Sequence, residues 1–88
     1  MFRILANVFI ENRLVRDKVI CNDNPDLTRT KKVFAALHDV CQEFDLPEPI
    51  WLDINISDFK KFEKTRFNQN NFMEEIPFDY LEFHVIEE

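Results

Sequence analysis

The chain contains no glycine in 88 residues. Glycine is the residue that takes positive φ without steric cost. Its absence excludes a Gly-x-Gly-x-x-Gly turn, a Walker A loop and a Gly-x-Ser-x-Gly nucleophile elbow. Cysteine is nearly as scarce, with Cys21 and Cys41 far apart and no Cys-x-x-Cys pair. There is one tryptophan, Trp51, and one tyrosine, Tyr80. No apolar run approaches the roughly 18 residues of a membrane span, so no membrane partner is expected. Met1 leads directly into an alternating pattern where a signal peptide would stand. A cytoplasmic protein with reduced thiols is the expectation.

Phenylalanine is abundant instead. Ten of them spread over the whole chain, from Phe2 to Phe83. Each ring buried contributes on the order of 1.5–3 kcal/mol, so one core can recruit every segment. A hydrophobic share of 45% is that of a folded chain. The length fits a single domain over residues 1–88. The net charge is −6, unevenly placed. Residues 1–22 and 57–72 each carry +2, residues 23–56 carry −4 and residues 73–88 carry −6. An acidic total disfavours non-specific binding to nucleic acid or to anionic membrane.

Alternation predicts a first strand, with Phe2, Ile4, Ala6, Val8 and Ile10 on one face. Leu14 to Cys21 reads as a second strand, joined to the first by a tight link in which Asn12 accepts positive φ. A helix follows the turn cluster 21–26, capped by Asp26 or Thr28. Its apolar stripe is Val33, Phe34, Leu37, Val40, Cys41 and Phe44, and Pro47 and Pro49 end it. Leu52, Ile54 and Ile56 alternate as a brief extended segment would. Ser57-Asp58 then opens a short helix bearing Phe59 and Phe62. Residues 65–77 give no clear pattern. Phe78 to Ile86 reads as a last strand. The expected fold is α+β: a three-stranded antiparallel sheet, in the order strand, strand, helix, short helix, strand, packed on one long helix. The last strand pairs most simply beside the first, which makes the first strand central.

Four blocks carry a resemblance. They are residues 26–37, Pro49 to Asp53, Lys64 to Phe67 and Phe78 to Glu82. Together they resemble a family of short bacterial conserved hypothetical proteins, over nearly the full chain. The resemblance implies a bacterial cytosolic protein. It carries over no functional residue.

Several side chains are candidates for chemistry. His38 and Cys41 lie one helical turn apart, and Cys21 and His84 would have to complete a zinc site. Their spacing matches no finger, and buried structural cysteine is the plainer expectation, so neither a metal nor another cofactor is expected. Cys21 as a nucleophile lacks an identifiable histidine partner. Glu74-Glu75 and Glu87-Glu88 are sequence neighbours whose side chains diverge on regular structure. Lys60, Lys61, Lys64 and Arg66 alternate with Phe62 and Phe67, a pattern that fits single-stranded nucleic acid if the rings are exposed. If the rings are buried, the cations decorate a solvated helix. Trp51 is either a plug at the end of the core or an anchor for a partner. Strand two carries Arg16, Asp17 and Lys18, charges that discourage edge pairing. The last strand, expected at the other edge, presents Tyr80, Glu82 and His84 on its far face.

Three functions follow, in order of preference. The first is a non-enzymatic module that binds a protein partner or self-associates, using Tyr80, Glu82, His84 and Trp51. The second is a nucleic-acid-binding accessory protein using Lys60, Lys61, Lys64 and Arg66. The third is a small-molecule enzyme built on Cys21 or a carboxylate.

Overall fold

Strand β1 (Phe2–Ile10) and strand β2 (Arg13–Asn22) form a hairpin across a two-residue turn. Both turn residues have positive φ, 50° at Glu11 and 65° at Asn12. That geometry matches the right-handed twist of paired strands and is ordinarily supplied by Asn-Gly. The turn is also held from outside. Asp79 Oδ2 accepts the Glu11 N–H at 2.7 Å, and the Asp79 N–H donates to the Phe9 carbonyl at 2.9 Å. The computed structural model describes residues 1–88.

Helix α1 (Arg29–Phe44) follows. Thr28 caps it, its Oγ1 accepting the Lys31 N–H at 3.2 Å. Asp45 ends it in left-handed backbone at φ 56°. The Asp45 N–H reaches the Gln42 carbonyl and the Leu46 N–H reaches the Cys41 carbonyl at 2.8 Å. This is a Schellman closure with aspartate where glycine is usual. The helix therefore stops before Pro47 is reached. Helix α2 (Asp53–Phe62) begins earlier than the sequence pattern suggests. Leu52, Ile54 and Ile56 belong to its start and not to a strand. Asn55 draws the chain into the first turn, its Oδ1 accepting the Leu52 N–H at 3.1 Å.

Strand β3 (Lys64–Asn68), a 3-10 turn (Gln69–Asn71) and strand β4 (Tyr80–Glu87) complete the chain. The sheet is antiparallel and four-stranded, in the order β2-β1-β4-β3. The α+β class and the central place of β1 hold. The count of three strands does not, because Lys64–Asn68 pairs with β4 from His84 back to Tyr80. The last strand is therefore no edge: β4 lies between β1 and β3, and the free edges are β2 and β3. Strand addition at β4 is excluded by that pairing.

Both helices cover one face of the sheet. Ile4, Ala6, Val8, Leu81, Phe83, Val85 and Phe67 pack there against Val33, Leu37, Val40, Phe44 and Phe59 in one continuous core. Seven of the ten phenylalanines are buried. Phe9 is half-buried, and Phe34 and Phe62 are exposed. Ile10, expected in the core, is also exposed at the end of the hairpin.

A buried amide cluster ties α2 to the sheet. Asn55 Nδ2 donates to Thr65 Oγ1 at 2.8 Å and to the Arg66 carbonyl at 2.9 Å. Asn71 Nδ2 donates to Asn55 Oδ1 at 2.7 Å and to the Ile50 carbonyl at 2.8 Å. Every polar atom of the Asn55 side chain is thereby satisfied, which is what makes its burial tolerable.

Candidate functional site

The face of the sheet away from the helices is uncovered. Cross-strand register sets out its rows: Leu14, Phe9, Tyr80 and Asn68; then Asp17, Asn7, Glu82 and Arg66; then Val19, Leu5, His84 and Lys64. Tyr80 stacks on Phe9 with ring centroids 4.9 Å apart. The Arg66 guanidinium lies 4.6 Å from the Tyr80 centroid, and its Nε is 3.2 Å from Glu82 Oε2. Three of the residues expected at a partner surface, Tyr80, Glu82 and His84, thus share one face. Their neighbours already occupy the first two. The fourth, Trp51, lies on the other side of the sheet among the helices.

The basic segment is divided. Lys60 and Lys61 stand exposed on α2, over the helical layer. Lys64 and Arg66 stand on β3, on the uncovered sheet face. Glu63 separates them, turning the chain at φ 58°. The two aromatic residues divide as well: Phe67 is fully buried, whereas Phe62 is 62% exposed. The four cations therefore make two surfaces, and Arg66 is engaged by Glu82 and Tyr80.

The sulfur and imidazole groups also lie apart. Cys21 is exposed on β2 opposite Arg3, and Cys41 is buried in the core. His84 sits on the uncovered face, while His38 Nδ1 lies 2.9 Å from Glu48 Oε1 on the exterior of α1. Burial raises the Cys41 thiol from its ordinary value of 9.0 to about 11, and the Glu48 carboxylate pushes in the same direction. Cys41 is consequently a protonated core residue at neutral pH and no nucleophile. Glu87 pairs with Arg3 and the N-terminal amine, and Glu88 pairs with Arg29. Glu74 and Glu75 are exposed. None of these carboxylates converges with another on a shared cleft.

The second uncovered surface is a groove between α1 and α2. Val33, Phe34, Trp51, Ile56 and Phe59 line it, with Arg29, Thr30 and Lys60 at its rim, and it encloses about 320 Å³. Trp51 stands at its base, edge-on to three rings. Phe34, Phe59 and Phe67 lie 5.9, 5.6 and 5.0 Å from it, each near perpendicular. Its Nε1 has no acceptor. Phe34, placed in the buried stripe by spacing, is 51% exposed and forms one wall. Adjacent helical residues diverge by about 100°, so Val33 and Phe34 cannot both face the sheet. That pair is the signal in the sequence that α1 has a second apolar flank. Comparison with protein-family models, with curated proteins and with solved structures gave no match.

Proposed function

We propose that the chain is a non-enzymatic interaction module that associates with further copies of itself, in the bacterial cytosolic setting that its resemblance implies. One observation carries this: thirteen large apolar side chains remain exposed around a core that is already filled. Single exposed hydrophobes are ordinary, but clustered ones mark surfaces that another molecule covers. Here Phe34 and Ile56 are exposed together along the groove, over Trp51 at its base. Leu14 and Val19 project from the same uncovered sheet face as half-buried Phe9 and Leu5. The charge distribution supports association between copies. Lys60 and Lys61 on α2, and Glu74 and Glu75 on the loop after the 3-10 turn, are exposed and in no ion pair within the chain, so unlike charges are available to a second copy.

Static light scattering across a wide concentration range tests the proposal. The expected result is a particle mass that rises above the 10.7 kDa of one chain as concentration increases. A mass fixed at one chain throughout would overturn it.

A further inference from the structure

The groove between α1 and α2 has a counterpart elsewhere on the molecule. Met73 is 88% exposed, more than any other large apolar residue of the chain. It is not a loose side chain on a loose loop. Phe72 and Ile76 on either side of it are buried, and they anchor both ends of the segment. Gln69 braces the tip from within: its Nε2 donates to the Glu74 carbonyl at 2.8 Å, and its Oε1 accepts the Ile76 N–H at 3.0 Å. The backbone thus holds Met73 outward between fixed points. Glu74 and Glu75 follow it, both exposed and in no ion pair.

The groove offers the complementary features. Its base and walls are apolar and aromatic, the surroundings in which a thioether packs well. Lys60 stands on its rim, and Lys31 projects from α1 three residues before Phe34, on the same side of that helix. Neither lysine forms an ion pair. Of the chain's six lysines only Lys18 is paired, although the chain as a whole is acidic. Arg29, the other cation of the rim, is already paired with Glu63 and Glu88. An apolar groove with the unpaired Lys60 at its rim, and Lys31 on the flank of α1 beyond Phe34, fits a braced apolar knob followed by two unpaired carboxylates.

We propose that the segment Met73–Glu75 of one copy docks in the α1/α2 groove of a second copy. Met73 enters against Trp51, Phe34 and Ile56, and Glu74 and Glu75 face Lys31 and Lys60. The two halves are different patches of one surface, so the contact is head-to-tail and builds rings or chains. The proposal rests on the self-association reading above and names the surfaces that carry it.

Sedimentation velocity on three variants tests it. All the substituted side chains are exposed, and thermal melts confirm that each variant is folded. Met73→Asp should weaken association by at least about tenfold, because it removes the anchor and adds an unlike group to an apolar groove. Lys31→Glu with Lys60→Glu should do the same, as should Glu74→Lys with Glu75→Lys. An equimolar mixture of these two double variants should regain association, since each groove then meets a loop of opposite charge. Wild-type association that survives all three variants would overturn the proposed surfaces and leave self-association standing. A monomeric wild type would overturn both.

Discussion

Asn55 is the residue on which the arrangement of the second half of the chain depends. It is 2% exposed, and its amide joins the start of α2, strand β3 and the 3-10 turn. Asn55→Ala removes the partner of the buried Thr65 hydroxyl and Asn71 amide, and of the part-buried Leu52 N–H and Arg66 carbonyl. Leaving such groups unpaired costs about 3 kcal/mol in total, and a melting temperature lower by roughly 12–24 °C is expected. Asn70→Ala is the comparison. Asn70 is exposed, and its side chain donates to and accepts from no other group, so its loss should fall within about 0.5 kcal/mol of wild type. Calorimetry on the two variants checks the contrast. The sequence could not show it. Asn68-Gln69-Asn70-Asn71 reads as one polar turn, yet Asn71 is buried while Gln69 and Asn70 are not. What permits Asn71 to be inside is the Asn55 oxygen sixteen residues away, a partner that only the tertiary fold supplies. Phe67 was ambiguous for the same reason, and its burial follows from the pairing of β3.

At the scale of elements, the lack of glycine has a measurable consequence. Four non-glycine residues hold positive φ: Glu11, Asn12, Asp45 and Glu63. Asp45 closes α1, and its side chain makes no hydrogen bond or ion pair that a substitution would sacrifice. Asp45→Gly should therefore raise stability by about 0.5–1 kcal/mol, the relief of the left-handed backbone being partly offset by a freer unfolded chain. Asp45→Val should lower it, because a β-branched residue tolerates that backbone worst. Urea unfolding of the pair reads both effects. The same scarcity explains which elements could be read in advance. β1, β2 and α1 declare themselves through long runs of their own period. The boundary between α2 and β3 does not, because it falls at Glu63, a residue with no turn signature. The stretch from Phe59 to Phe67 satisfies a helical spacing at one end and an alternating one at the other. With a short helix from Ser57 and no pattern assigned to 65–77, β3 is missed and β4 falls at an edge. The groove was hidden by a related ambiguity, since apolar residues on both flanks of α1 and α2 look like core until packing assigns a face.

The whole molecule is a sheet with two helices on one side and, on the other, an open face on which two arginines are paired. Arg66 pairs with Glu82 and covers Tyr80, and Arg3 pairs with Glu87. The helical side is different. There the rim lysine Lys60 lacks a partner and the groove is apolar, while the braced Met73 tip lies outside the core cluster. Fold class and the inward direction of most aromatic rings were legible from composition and spacing. Surfaces were not, because exposure is decided by which elements pack together and not by the residue itself. In the proposed association, a second copy covers the molecule at the groove and at the Met73 tip.

Amide hydrogen exchange followed by mass spectrometry, at a dilute and at a concentrated setting, measures that location directly. The prediction is slower exchange in the concentrated sample at two places together, the 72–76 segment and the start of α1 with α2, while β1 and β4 are unchanged. Identical exchange at both concentrations would contradict self-association, and new protection confined to the uncovered sheet face would contradict the groove and the 72–76 segment as its surfaces.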